Sequence, residues 1–371
     1  MLPAIVLPAI VRPAIVRPLS CARYRAPVTR LSGLEAELVR PDGPALLEEW
    51  FSPLSAVLEA DWPDDPGWLL HERAAMLDQP GVRAYVLGVA RLADVVAGCF
   101  QVRTELRDNL DAADIEIWVD PAWQHRGVGR ALLEAAEQIA RDRGRHVLSG
   151  TSESPLGSPE TGRRDCFARA AGYEPVLAEA RRELDVPVDP ELLCALASEA
   201  HVRASGYRLV SWEGSCPREW AAGRVRAAAG MSTDIPSGGL EVEPESWDVA
   251  RLRQHEHVVE AMDRATMAVA AISPDGELAG YSEIGVPRAA PLVAYQLDTY
   301  VVPAHRGHRL GTLLKVANLR RLVERFPATR RVVTTNAASN EPMIRVNERL
   351  GYRLTGTATV WQKRLGRGAC R

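Results

Sequence analysis

The sequence predicts two tandem copies of one α/β (α+β) domain, and three observations carry that reading. First, 371 residues exceed what one ordinary hydrophobic core serves and suit two domains. Second, "PAWQHRGVGRALL", which starts at Pro121, is answered without a gap by "PAHRGHRLGTLL", which starts at Pro303. Third, "ARAAGYEP" from Ala168 is answered by "NERLGYRL" from Asn347 at nearly the same offset.

The elements follow from hydrophobic period and punctuation. In the first copy, residues 33–40 read as an opening strand, and 44–60 and 68–76 as helices. Residues 82–90 and 95–104 alternate like paired strands, and 115–119 is a further strand. Residues 128–143 place Leu132, Leu133, Ala136 and Ile139 on one helical face. A strand at 146–151 and a short helix at 163–171, stopped by Gly172, complete the copy. Residues 187–204 read as a connecting helix with Asp189 as N-cap.

In the second copy, 207–212 opens as a strand, and helices span 219–229 and 248–262. Strands at 266–272 and 278–286 are joined by the turn Pro274-Asp275-Gly276. A strand at 294–302, a helix at 311–325, a strand at 331–335, a helix at 341–350 and a strand at 357–363 follow. The expected boundaries are 30–186 and 206–365 for the two copies, 187–205 for the connection and 366–371 for a tail.

Composition narrows the function classes. With 46% hydrophobic and 25% charged residues the chain reads as a globular protein. A net charge of -3 speaks against nucleic acid as a partner. Cys21, Cys99, Cys166, Cys194, Cys216 and Cys370 form no Cys-x-x-Cys pair and no metal spacing, so a reducing cytoplasm and no metal are expected. The first twenty residues repeat a Pro-Ala-Ile-Val unit. Proline at every fifth position forbids a stable helix there, and Arg12 and Arg17 interrupt any signal-like run. Residues 1–29 are therefore expected to be a disordered extension, and no membrane partner is expected.

The repeated sentence is a strand, a basic glycine turn and a helix. Amide groups at a helix N-terminus are unpaired and sit at the positive end of the dipole, which makes an anion site. Glycine lets a diphosphate approach the backbone closely. No Gly-Lys-Ser/Thr follows, so this is not a Walker loop.

The stretch Val119 to Gly129 resembles the acetyl-CoA loop of the GNAT superfamily of N-acyltransferases, [Gln/Arg]-x-x-Gly-x-[Gly/Ala] after a strand ending in Val-x-Pro. The stretch Val301 to Gly311 resembles it too, and Asn336, Asn340, Met343 and Leu350-Gly351-Tyr352 resemble the family's later signature. The resemblance covers about residues 30–365, nearly the whole chain. It implies two tandem GNAT-like domains, each a mixed, mostly antiparallel central sheet flanked by helices, with a splayed strand pair. It implies acetyl-CoA as cosubstrate, held by Val119, Gln124, His125, Arg126, Gly127, Val128, Gly129 and Arg130 in the first copy. In the second copy the implied set is Val301, Val302, Arg306, Gly307, His308, Arg309, Leu310, Gly311, Thr312, Asn336 and Asn340. It also implies a small-molecule amine that attacks the thioester directly.

The copies depart from the family pattern in different places. The first has the intact loop but a turn of Pro, Gly and Ser at 154–162, with no counterpart of Asn340. The second has Arg309 at a glycine position, which suits binding only if its φ is negative. Asn340 before Glu341-Pro342 also reads as an N-cap. The family often places a tyrosine four residues before the late glycine, as acid toward the departing thiolate. Here those positions hold Ala168 and Asn347, and Tyr281, Tyr295 and Tyr300 are the phenols in suitable elements.

An attacking ammonium needs a base. Glu116 and Asp298 align, each a carboxylate in mid-strand eight residues before the loop arginine or glutamine, with Glu283 on the neighbouring strand in reserve. The acid-rich stretch 231–260 is either a lip that attracts a cationic amine or a solvated face. The favoured reading is an N-acetyltransferase with the second copy catalytic. Catalysis in the first copy and a non-catalytic acyl-CoA sensor are the alternatives. Either an internal pseudo-dimer within a monomer or a homodimer suits the repeat.

Overall fold

The structure is a computed structural model and describes residues 34–39, 44–92 and 94–366. The expected extension at 1–29 and residues 367–371 of the tail lie outside the described residues. The first half runs β1 (Leu34–Val39), α1 (Pro44–Asp61), α2 (Leu70–Leu77), β2 (Arg83–Leu92), β3 (Val95–Glu105), β4 (Ala112–Val119), α3 (Val128–Asp142), β5 (Val147–Pro155), α4 (Glu160–Ala170) and β6 (Glu174–Asp185). A connecting helix α5 (Pro190–Arg203) follows. The second half runs β7 (Arg208–Glu213), α6 (Arg218–Asp234), α7 (Val249–Ala261), β8 (Arg264–Ile272), β9 (Leu278–Pro287), β10 (Val293–Val301), α8 (Leu310–Arg325), β11 (Arg331–Ala337), α9 (Glu341–Leu350) and β12 (Arg353–Arg364).

Local chemistry accounts for the element ends. Asp189 accepts a hydrogen bond from the Glu191 amide at 2.9 Å, so α5 starts where a cap and an N1 proline stand together. Asp248 caps α7 in the same way through the Arg251 amide at 2.6 Å. The helix α3 buries Val128, Leu132, Leu133, Ala136, Ile139 and Ala140 and turns the Arg130–Glu134 pair outward.

The strands form one twelve-stranded sheet in the order β1-β2-β3-β4-β5-β12-β6-β11-β10-β9-β8-β7. All neighbours are antiparallel except β4/β5 and β10/β11. Each parallel pair is short. It joins residues 112–114 to 147–149 in the first half and 293–295 to 331–333 in the second. Beyond those residues the strands part. Both halves thus hold a splayed strand pair in a mixed, mostly antiparallel sheet, and a register shift between Gln296 and Thr299 bends β10 at the opening.

The centre of this sheet is an exchange. β6 leaves the first half and lies between β12 and β11. β12 leaves the second half and lies between β5 and β6. The cores follow the strands: Trp361 and Leu365 pack with the first-half cluster around α3, and Leu184 and Val186 with the second-half cluster around α8.

The strand β6 is absent from the sequence reading. Its middle, Arg181-Arg182-Glu183, looks polar but is buried, and tertiary partners satisfy it. Arg181 bonds Asp65 at 2.5 Å and Glu183 at 3.1 Å, and Arg182 reaches Asn336 at 3.3 Å. The turn expected at 154–162 is also shorter, because β5 continues to Pro155 and α4 starts at Glu160.

Glu241, Glu243, Asp248 and Glu260 of the acidic stretch at 231–260 are exposed, as a solvated face would have them, and several of its carboxylates are also paired. Asp108 accepts from the buried Arg251, and the Asn109 and Glu243 side chains each accept from the other's backbone amide, at 2.6 and 2.8 Å. Glu241 pairs with Arg364, and Asp248 with Arg107 at 3.5 Å. These carboxylates tie the second half to first-half residues and to the exchanged β12. Glu72 and Arg264 add a buried pair across the halves at 2.8 Å.

Candidate active site

Both halves leave the splayed strand by the same path. After β4, Asp120 accepts from the Ala122 amide at 2.8 Å and a 3-10 turn covers Pro121–Trp123. His125 and Gly127 then take positive φ, +60° and +83°, before α3 begins. After β10, a 3-10 turn covers Pro303–His305, and Gly307 and Arg309 take φ of +84° and +54° before α8. Arg309 does not take the negative φ that the sequence reading sets as a condition for binding. Arg309 stands in the left-handed region, which costs a side chain about 1–2 kcal/mol. Its guanidinium pairs with Glu199 on α5, which also accepts from Arg349.

The consequence is two similar cradles. Neither helix start carries a side-chain cap, so its first amides stay free for an anion. A Cβ on Gly311 would meet nothing within 4 Å, so the backbone there is open to a ligand. A Cβ on Gly129 would stand 3.5 Å from Val119 and 3.6 Å from Phe167.

Gln124 and Arg306 do the same work in the two copies. Each donates to the last carbonyl of its strand, Val119 at 3.3 Å and Val301 at 3.1 Å. Val128, Leu310 and Thr312 face inward, while Val302 packs on the second-half core. Arg126 lies 4.9 Å over Trp123, Arg130 pairs with Glu134 at 3.0 Å, and the His308 ring contacts Tyr207.

The clefts differ more than the cradles. In the second half a cavity of ≈ 240 Å³ opens between the parted strands. It brings Asp298 on β10 together with Asn336 on β11 and Asn340 at the start of α9. Asp298 accepts from Tyr281 Oη at 2.7 Å and from Arg224 at 3.4 Å. Asn340 caps α9 through the Met343 amide at 3.3 Å, so its cap role and its place in the cleft coexist. Asn336 donates to the Ala337 carbonyl and accepts from Asn347 at 3.3 Å. Glu283 does not line this cavity. It lies behind Asp298 on Arg224, at 3.5 Å, and burial pushes its carboxyl up.

In the first half a cavity of ≈ 400 Å³ lies between the end of α1, residues 121 and 124 of the loop, and the turn before α4. Gln124 lines it beside Asp61, Glu160 and Arg164, but Glu116 does not. Glu116 accepts from Gln101 at 3.1 Å and from Arg73 at 3.4 Å, and burial pushes its carboxyl up against the pull of Arg73.

Two ionisable residues that line the second-half cavity escaped the sequence reading. Lys315 on α8 is fully buried beside the second-half cavity. Its signal was available: it is one of two lysines among 45 basic residues, and it stands between Leu314 and Val316 on an apolar face. Glu179, whose carboxyl is raised by burial and by Glu153, enters the same cavity from the exchanged β6. No sequence pattern places a first-half residue there. The three phenols considered as acids are all engaged: Tyr281 donates to Asp298, Tyr295 to Asp65 at 2.5 Å and Tyr300 to Asp234 at 2.6 Å. Among the described residues no group of three or more His, Cys, Asp or Glu could hold a metal ion, and no helix is long and apolar enough to cross a membrane.

The residues present fit acetyl-CoA. An uncapped helix start and an open glycine suit a diphosphate, and strands without a ladder partner suit an amide-bearing arm laid between them.

Comparison with known proteins agrees with this geometry. The chain matches the Acetyltransferase (GNAT) family over residues 45–154 and again over 238–352, more than half of its length. It belongs to that family and is an acyltransferase built of two GNAT domains. Among curated proteins it is similar to the mycothiol acetyltransferase of Sanguibacter keddieii, 29% identical over 242 residues, covering 64% of this chain and 69% of that one. The mycothiol acetyltransferase of Acidothermus cellulolyticus is 29% identical over 271 residues, covering 69% and 73%. Among solved structures, a tandem GNAT protein from the clavulanic acid biosynthesis pathway superposes with a TM-score of 0.73 at 26% identity, covering 91% of this chain and all of that one.

Proposed function

We propose that the second half moves acetyl from acetyl-CoA to an amine of a small molecule, by direct attack and without an acyl-enzyme. One observation carries this. The second-half cavity gathers Asp298, Asn336 and Asn340 beside an open cradle, whereas the first-half cavity gathers Gln124 alone of the expected residues. In this reading the amides at the start of α8 hold the diphosphate. Asp298 receives the proton of the attacking amine or orients that amine. The first half binds acetyl-CoA or supports its partner. The alternative, catalysis in the first half, is favoured by its larger cavity beside Gln124.

The halves, 30–186 and 206–365 joined by 187–205, act as a pseudo-dimer within one chain, a reading the exchange of β6 and β12 supports. A cytoplasmic location suits the four described cysteines, all free.

The test is acetyl-CoA calorimetry together with CoA release over a panel of amines, on the wild type, Gly129→Glu and Gly311→Glu. Each variant sets bulk and negative charge in one cradle. Turnover that survives Gly129→Glu and vanishes with Gly311→Glu supports the proposal. The reverse pattern moves catalysis to the first half. Binding without turnover on any amine makes the protein a sensor.

A further inference from the structure

The chain holds two lysines, and each packs against the tyrosine of one repeat's Gly-Tyr pair, Lys363 across the exchange on that of the first copy. Lys363 lies 5.4 Å from the Tyr173 ring and Lys315 lies 5.1 Å from the Tyr352 ring. Their other partners differ. Lys363 donates to Glu137 at 2.7 Å and to the Ala171 carbonyl at 2.8 Å, so its charge is neutralised. Lys315 donates to Asn347 Oδ1 at 2.8 Å, and no charged group opposes its burial. Lys315 lines the second-half cavity, and Lys363 lines neither of the two cavities described above. An ammonium without a counter-ion in a core is unfavourable, so packing gives no reason for a lysine here.

The surroundings show what the amine can do. Lys315 is the one cation among the residues that line the second-half cavity; Asp298 and Glu179 are its titratable neighbours there, and Tyr352 packs on its other side. Asn347 holds the amine and is itself held by Asn336 on the cavity wall. The Asn347 carbonyl accepts from an ammonium or from a neutral amine, so the geometry survives loss of a proton. Burial brings the amine down to about 7, where it can give and regain a proton near neutrality. Tyr281, Tyr295 and Tyr300 each already donate to a carboxylate.

We propose that Lys315 donates the proton to the thiolate that departs when acetyl is transferred in this cleft. The inference rests on the second half being the catalytic one. The amine nitrogen bonds to the thioester carbon, the C–S bond breaks and its electron pair goes to sulfur. The Lys315 ammonium passes one proton to that sulfur, which gives the CoA thiol and a neutral lysine. The surplus proton on the new amide nitrogen leaves through Asp298 or water, and Lys315 is reprotonated from solvent.

The test uses full-length protein carrying Gly129→Glu, so that one cradle remains, and CoA itself as the probe. Calorimetry counts bound CoA, and turnover of acetyl-CoA is followed across pH. An acid that must be an ammonium, with its amine near 7, makes kcat fall as pH rises above about 7. Lys315→Gln should lower kcat about 10²-fold and remove that alkaline limb with CoA affinity held within about threefold, and Lys315→Met, of similar length, repeats the reading if the glutamine variant melts early. Lys315→Arg keeps the charge but not the transferable proton, so it should bind CoA and lose turnover at every pH.

Bound CoA with turnover that is unchanged in Lys315→Gln sinks the Lys315 role alone. An alkaline limb that persists in Lys315→Gln also sinks it. Acetylation of Lys315 after incubation with acetyl-CoA, read by mass spectrometry, would make it a nucleophile instead. No CoA bound to this protein sinks the Lys315 role and the second-half assignment together.

Discussion

The two halves trace one path and pay attention to different residues along it. In the first cradle the left-handed positions are His125 and Gly127; in the second they are Gly307 and Arg309. Each copy places one glycine where the other places a side chain. The lesson is that the turn needs two left-handed residues, and neither position needs glycine absolutely. The halves diverge where chemistry would occur. Asp298 faces a cavity between parted strands, and its counterpart Glu116 is tied to Gln101 and Arg73 outside the first-half cavity. Phe167 of α4 also stands beside Gly129 and Val119 in the first half, at the mouth of its parted strands.

Four experiments would break or sharpen this comparison. The largest effect should come from the joint between the halves. Glu72→Ala leaves Arg264 buried without its partner, and unfolding in urea should show a loss of about 3–5 kcal/mol in one transition. Breaking the exposed pair Arg130–Glu134 should change stability by less than about 0.5 kcal/mol. Two separate transitions would mean that the exchanged strands do not join the halves.

Next comes the contrast between the mid-strand carboxylates. Asp298→Asn should lower kcat by about 10²–10³-fold, while Glu116→Gln should lower it by less than about threefold. The opposite order would move the reaction to the first half.

The third experiment concerns Lys315 and pH. Its amine is lowered from 10.5 to about 7 by burial. Between those values the unfolded chain binds the proton and the folded chain does not, so this group makes stability rise with pH across that window. Its unfavourable contribution is complete below about pH 7 and absent above about 10.5. Lys315→Met should flatten the slope and raise stability at pH 6 by a few kcal/mol, whereas Lys363→Met, which breaks a paired lysine, should lower it.

The smallest effect is at the cradle itself. Arg309→Gly relieves a left-handed side chain but frees the unfolded backbone and removes an exposed ion pair. Thermal unfolding should show a gain of roughly 0.5–1 kcal/mol. A loss would mean that the Glu199 contact holds the loop in place.

The sequence by itself determined the repeat, the element order in both copies apart from β6, the two glycine turns before α3 and α8, and the family. Hydrophobic period, caps and glycine turns are local signals, and they fall within reach of a short window of residues. Asp298 was legible from its place in mid-strand eight residues before Arg306, and Asn336 and Asn340 from their resemblance to the family's later signature. The tertiary structure alone decided the rest. It made one sheet of two by exchanging β6 and β12, and it turned Arg181, Arg182 and Glu183 from an apparent surface run into a buried strand. It carried Glu179 from the first half into the second-half cavity and set Lys315 there without a counter-ion. The reason is physical. Whether a charged residue is buried depends on partners distant in sequence that neutralise it, and no local pattern records where those partners come to rest.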